Sequence, residues 1–523
     1  VISGRLMKRA IFIATAVVFL GAVILPLVSI VFSSLFPNGT FSLDNYSLIA
    51  NVNTLKLALK SVGLAFIVAF LSTLTGGFFA FTLTKTNLPM KNIFKLVFLI
   101  PLFISPYIIA VSWVDFFILF GSGKQFIYSP LGVVFVLSLI FTPLSMIIIS
   151  SGLANLSAHF EEAGLMMTTY PKVILKIIFP LIKPAVISSF ILVFVLAISE
   201  FSVPAFLSVN VFTTEIFTQF SAFYNYDLAL SNSMVLILIC VSLLMAERFY
   251  LADAPFLSVS SKSHKAKCIE LNKSKPVFLL IHFGHVFISV IIPVVVLTAQ
   301  SFQGSADTYI KAFSLLSITI FDSLFYAAAG SFFLIFFGFV FAYISEREKI
   351  KSVNLILLIT FGIPSTVLGI GLIKFFNTPE FNFIYSGFWI IVIGYLGRFI
   401  FISEKLIANA IRQIPLSFEE SAQLIGANFF LRIRKILFPL ISEGVFAAFL
   451  IGFIFCLGEL GATILVYPPG TSVMPIKVYT IMANAPQSLT SAMSLIVLLI
   501  TFIALIFLFA GRKILVRKKW SQF

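Results

Sequence analysis

The chain has 523 residues, of which 60% are apolar and 11% charged, with a mean hydropathy of +1.11 and 64 phenylalanines. Soluble domains are nearer half apolar and a quarter charged, so this chain has too little polar surface to cover a soluble globule of its size. Its net charge of +15 would suggest nucleic acid or an acidic partner on a soluble protein; in a membrane protein the question becomes which loops carry the cations.

A bilayer core takes ~20 helical residues at about 1.5 Å each. In chain order, apolar runs of that length predict spans at about 10–34, 59–83, 93–120, 130–152, 184–208 and 233–251, then 277–301, 321–344, 353–376, 386–408, 444–467 and 491–511. These runs are apolar all round rather than alternating, which excludes barrel strands and predicts an all-α, polytopic membrane protein. The first run has a basic start (Arg5, Lys8, Arg9) as a signal peptide would, but it is too long and lacks an A-x-A-like cleavage site, so a retained helix is expected. Cys240, Cys268 and Cys456 are too scattered for a disulfide framework or a CxxC pair.

With the N-terminus placed in the cytoplasm, 28 of the 35 Lys and Arg residues fall in cytoplasmic segments. Six fall outside (Lys56, Lys60, Lys124, Lys311, Lys374 and Lys477), and Arg398 lies within a span. Lys and Arg resist translocation, so both termini are expected in the cytoplasm, with an even number of spans.

The chain also repeats itself. Phe179-Pro180-Leu181-Ile182 recurs as Phe438-Pro439-Leu440-Ile441, Phe160-Glu161-Glu162 as Phe418-Glu419-Glu420, Glu200 as Glu459, and Gly76 to Ala80 as Gly338 to Ala342, at shifts of 258–262 residues. Polar landmarks recurring in one order predict two parallel six-helix units, 1–251 and 277–523. The polar segment 252–276 between them reads as a cytoplasmic linker. Its His264 and Cys268 lack further metal ligands nearby.

The loops between the fourth and fifth spans of each unit carry the most specific pattern. The second reads Glu420-Ser421-Ala422, three residues, Gly426, nine residues, Ile436, two residues, Pro439. The first reads Glu162-Ala163-Gly164, three residues, Thr168, then Pro180, and is one residue shorter. Glu161/Glu162 and Glu419/Glu420 suit a helix N-terminus. Gly426 permits a sharp turn into a second, short helix, basic on one side (Arg432, Arg434, Lys435), with Pro439 marking its junction with the next span. Such a helix–turn–helix is a knob that can dock in a groove of a cytoplasmic partner.

The second loop resembles the EAA signature, E-A-A-x-x-x-G-x(9)-I-x-L-P, of the inner-membrane permeases of bacterial ABC importers. It departs from it at Ser421 and Phe438; the first loop lacks the Gly. Two fused six-span units with a loop in each resemble the ferric-iron-type permeases, with thiamine permeases built to the same plan. Sulfate, molybdate and polyamine permeases are related but usually assemble from separate chains. The resemblance implies two copies of a cytoplasmic ABC ATPase docking on the two loops, a periplasmic substrate-binding protein, and a place in the bacterial inner membrane. It also implies that ATP and Mg²⁺ act on the partner, with no cofactor in this chain.

Asp115, Glu200, Glu459 and Arg398 lie in or at the ends of apolar runs, where a charge costs ~2.5–3.5 kcal/mol on insertion scales and so faces a pathway or a partner. Glu200 and Glu459 are repeat equivalents that would face each other across the pseudo-twofold axis. They would either offer oxygen ligands to a hard cation such as Fe³⁺ or bond backbone groups where Pro204 and Gly461 interrupt the helix. Asp115 lies near the outer end of the third span, where water can solvate it, and Arg398 calls for a partner on another helix. His282 and His285 share a face at the start of the seventh span and are expected to cap a helix rather than bind metal. Gly121-Ser122-Gly123-Lys124-Gln125 lacks the first Gly and the hydroxyl residue of a P-loop, so the energy for transport must come from another subunit. The alternative class, a gradient-driven secondary transporter, would require coupling carboxylates near mid-bilayer and would not need the two loops.

Overall fold

The computed structural model describes residues 2–36, 39–49, 51–121, 123–154, 156, 158–251 and 269–520; most of the linker, with His264 and Cys268, lies outside these. Among the described residues the structure is helical, apart from turns and an isolated bridge between Thr86 and Ile269. Nine of the described helices are long and apolar enough to cross a membrane: Met7–Leu35, Val52–Lys85, Pro130–Ala154, Tyr170–Ser199, Tyr226–Ala246, Asn272–Phe302, Asp307–Arg347, Phe429–Gly458 and Gln487–Ala510. The tenth span, Phe388–Arg412, is a helix of 25 residues interrupted in its apolar character by Arg398, Glu404 and Lys405. Hydrocarbon cannot satisfy backbone N–H and C=O groups, so each run bonds to itself as a helix.

Two expectations are corrected in detail. The third and ninth spans are bent pairs, Lys91–Phe103 with Pro106–Leu119 at 94°, and Ser352–Gly362 with Ser365–Phe376 at 100°. A proline disfavours helical geometry in the residue before it, and the breaks fall at Ser105-Pro106 and Ile363-Pro364, where the backbone is extended. The fifth and eleventh spans do not begin after their prolines. They run unbroken from the loops, over Tyr170–Ser199 and Phe429–Gly458, and end at Glu200 and Glu459. Pro180 and Pro439 each follow a π-helical turn, Ile174–Ile178 and Ile433–Leu437. The wider turn makes room for a ring that would otherwise strike the preceding carbonyl. The first and seventh spans use the same device, Leu20–Ile24 before Pro26 and Phe287–Ile291 before Pro293, which extends the repeat to helices with little sequence in common.

The first span of each unit packs on the other unit. Phe19 lies 5.1 Å from Phe341, ring centre to ring centre, and Gly371 admits Ile30 so closely that a Cβ there would sit 2.7 Å from its Cδ1. Conversely, Phe278 of the seventh span stacks on Phe78 at 5.9 Å, and His282 bridges the Phe278 carbonyl (2.7 Å) and the Thr82 hydroxyl (3.0 Å). The histidines therefore sit among aromatic rings and cap no helix. The main apolar core is shared by both units, and a smaller cluster roots each loop.

Within the first unit, the second and fourth spans cross at Gly76, where a Cβ would lie 2.6 Å from Ser145 Cβ and 2.7 Å from the Thr142 carbonyl oxygen. Gly76→Val is expected to push these helices apart at a cost of about 1–3 kcal/mol, read as a lower melting temperature of the detergent-purified chain. Gly63→Val, where a Cβ meets nothing within 4 Å, should leave it nearly unchanged.

Candidate functional site: two loops and a central cavity

The second and eighth spans end at Lys85 and Arg347 on one face, here the basic face, and both loops fold against those ends. In the second loop, helix Ser417–Leu424 carries Glu419 and Glu420 in its first turn. Glu420 is exposed, whereas Glu419 is 2% exposed. Its carboxylate accepts from Arg347 Nε at 2.8 Å and the Tyr343 hydroxyl at 3.0 Å, and Arg347 also donates to the carbonyls of Ile411 (3.3 Å) and Ile414 (2.9 Å). The first loop repeats this: Glu161, buried in helix Ala158–Met167, pairs with Lys85, while Glu162 is exposed. One acidic residue of each pair thus anchors the loop to a spanning helix, and the other faces outward.

Gly426 ends the second loop's first helix at φ +89°. Its N–H bonds the Gln423 carbonyl (3.1 Å) and the next N–H, of Ala427, bonds Ala422 (3.0 Å), a Schellman closure that glycine adopts without steric penalty. Asn428 then caps the following helix by accepting from Leu431 N–H at 2.8 Å. In the first loop the turn is one residue shorter. Thr168 N–H bonds Gly164 (2.9 Å), and Thr169 precedes a helix opened by Tyr170-Pro171. Gly164 faces the second helix so closely that a Cβ would meet Ile177 at 2.5 Å; its counterpart Ala422 is buried too. Ser421 and Ala163 are exposed, as are Pro180 and Pro439 at the junctions with the spans.

Each tip presents an adjacent apolar pair, Met166-Met167 at 90% exposure each and Leu424-Ile425 at 88% and 87%. No other large apolar side chain among the described residues is as exposed. Sequence reasoning missed both these pairs and the anchors. The signal was present, since Lys85 and Arg347 recur at one shift and a repeated acidic residue at a buried joint requires a repeated cation.

Between the units lies a cavity of about 350 Å³, lined largely by apolar side chains together with Glu200, Glu459, Arg398, Lys405, Ser105 and Ser365. Three of the four intramembrane candidates therefore meet there. Asp115 does not: it is buried rather than solvated, and accepts a hydrogen bond from Ser491 of the last span. Glu459 takes the backbone-bonding role, receiving the N–H groups of Ala462 (2.8 Å) and Thr463 (3.0 Å) at the start of a short helix. Glu200 receives the N–H of Ser202 at 2.9 Å and its hydroxyl, and is only half-buried. Arg398 finds a partner outside its own helix, donating to the Ile363 carbonyl at the break of the ninth span (3.1 Å). No group of three His, Cys, Asp or Glu side chains among the described residues is placed to hold a metal ion.

An all-α arrangement of paired six-span units among the described residues, with two anchored loops on one face and a cavity between the units, has the form of a membrane permease. The family of binding-protein-dependent transport system inner membrane components matches residues 72–250 and 334–520, one segment in each unit, both omitting the exchanged first spans. This chain belongs to that family and is a multi-pass inner-membrane protein. It is 23% identical over 461 residues to the Fe(3+)-transport system permease protein FbpB 2 of Haemophilus influenzae, covering 85% of this chain and 86% of the relative. It is 22% identical over 488 residues to the ferric transport system permease protein FbpB of Actinobacillus pleuropneumoniae, covering 86% and 70%. A shorter match, 24% identical over 156 residues and covering 29% of this chain and 57% of the relative, is to the putative 2-aminoethylphosphonate transport system permease protein PhnV of Salmonella typhimurium.

Proposed function

We propose that this chain is the permease of an ATP-driven importer that carries ferric iron, released by a periplasmic binding protein, through the cavity between its two units. The observation that carries this reading is the pair of anchored loops with apolar tips. Each is a rigid knob on the basic face, which the charge distribution makes cytoplasmic, and each suits a groove on one of two ATPase subunits. ATP and Mg²⁺ belong to those subunits; this chain supplies the lever. Because the π-turn keeps each fifth helix continuous through its proline, a displaced knob moves a helix of 30 residues, about 45 Å long, whose far end carries Glu200 or Glu459 at the cavity. The basic residues beside the knobs, Lys172, Lys176, Arg432, Arg434 and Lys435, suit the anionic headgroups of an inner leaflet.

Iron is favoured as cargo because the relatives that match most of the chain are named ferric permeases, whereas the phosphonate permeases match less than a third of it. The test is uptake of labelled Fe³⁺, thiamine and 2-aminoethylphosphonate by a strain lacking the chain, with and without its restoration. Restoration of iron uptake alone supports the reading, and restoration of another solute replaces the cargo.

A further inference from the structure

At the end of the cavity away from the knobs stands a group of aromatic rings that the two units contribute unequally. Phe201, immediately after Glu200, lines the cavity and is packed against Phe217 at 4.8 Å and Tyr479 at 6.3 Å. Tyr479 meets Phe206 edge-on at 5.4 Å, and Phe206 stacks on Tyr107 at 5.7 Å. Phe206, Tyr107 and Tyr479 do not line the cavity; they join it through Phe201, which Tyr479 contacts. Four of these five rings belong to the first unit, and Tyr479 is the member from the second. At the repeat positions of Phe201 and Phe206 the second unit has Leu460 and Leu465, and Leu465 packs on Gly369 of its own unit.

Tyr479 is held by a joint that leads back to a knob. Its helix, Met474–Met482, begins with the Met474 N–H donating to the Ser323 hydroxyl at 2.7 Å. Ser323 lies in the eighth span, which continues without a break to Arg347, the residue paired with Glu419 of the second loop. That stretch is roughly 36 Å of unbroken helix. The first unit repeats the joint: Phe212 N–H donates to Ser61 at 2.8 Å, at the head of the helix bearing Phe217, and the second span runs from Ser61 to Lys85 and its partner Glu161.

We propose that Tyr479 is the keystone of the outer gate and that the eighth span is the rod that works it, jointed at Ser323–Met474 above and at Arg347–Glu419 below. The rod is tied at each end by a side-chain bond, so a shift of the second knob is transmitted along it to the rings. Withdrawing Tyr479 separates the two units at the place where their rings meet. This inference rests on the proposed docking of an ATPase on the knobs.

The test uses the full permease–ATPase complex in proteoliposomes, with its binding protein. Tyr479→Leu should raise ATP hydrolysis in the absence of the binding protein by about fivefold, the scale of losing two ring contacts, and lower transport per ATP. Tyr479→Phe, which keeps the ring, should return both toward the wild-type values. Ser323→Ala should leave hydrolysis coupled to the binding protein but reduce transport per ATP by about fivefold, the scale of one lost hydrogen bond at a buried joint. A second readout keeps the gate testable if a variant assembles poorly. A membrane-impermeant thiol reagent applied from the outer side should label Ser365→Cys, in the cavity lining, slowly alone and at least about fivefold faster when combined with Tyr479→Leu. Wild-type hydrolysis, transport ratio and labelling in the Tyr479→Leu background would overturn the gate. Unchanged transport per ATP in Ser323→Ala would overturn the rod. If the wild-type complex itself shows no ATP-driven uptake, it is the functional reading that fails, whatever the variants do.

Discussion

Replacing Leu424 and Ile425 together by aspartate is expected to abolish ATP-driven uptake and to release an ATPase subunit from the complex. The two side chains are 88% and 87% exposed at a rigid turn, and centrally placed apolar anchors at interfaces cost about 2 kcal/mol or more each when removed. Affinity should therefore fall by well over tenfold, with charge in an apolar groove adding to the loss. Met166→Asp with Met167→Asp should do the same on the other side, since those residues occupy the same place on the first knob. The measure is ATPase retained through affinity purification of the tagged permease. Retention at wild-type levels in both double variants would remove the knobs from the docking surface. Thermal stability should be unaffected, because neither tip supports the core.

The second large effect is expected inside the loop rather than at its tip. Glu419→Ala leaves Arg347 buried without its counter-charge and Tyr343 without its acceptor. Breaking a buried pair from one side costs about 3–5 kcal/mol, so the second loop should detach from the eighth span, lowering the melting temperature as well as coupling. Glu420→Ala, one residue along but exposed, should leave stability unchanged. Glu161→Ala should be milder than Glu419→Ala, since Glu161 is held by Lys85 through one oxygen while its other, buried Oε2 has no hydrogen-bond partner. Melting curves of the three variants decide the order. Equal curves for Glu419→Ala and Glu420→Ala would show that the anchor bears no load.

The spans and the repeat could be read from the chain because the length of an apolar run and the order of polar landmarks are local signals. Gly426 announced its turn because its position requires positive φ. The bends in the third and ninth spans were also written locally, in the residues before Pro106 and Pro364, but apolar length alone masked them. Other features depend on partners distant in sequence. Pro180 and Pro439 look like helix boundaries until a π-turn absorbs them, and no residue type encodes that turn. Asp115 is buried because Ser491, on the last span, meets it. Which glutamate of Glu419-Glu420 faces inward depends on Arg347, and the exchange of first spans between units has no sequence signature. The cavity lining was half legible: Glu200, Glu459 and Arg398 stood out as charges in apolar runs, but their hydrogen bonds came from backbone exposed by helix breaks.

Whether this chain converts ATP-driven motion of a partner into passage of a solute is decided by reconstituting it in proteoliposomes with and without its ATPase while the binding protein and labelled Fe³⁺ are present. Uptake should require the ATPase, ATP and the binding protein together, and should be lost in the Leu424→Asp, Ile425→Asp variant. Uptake that persists without the ATPase and follows an imposed proton or sodium gradient would contradict it.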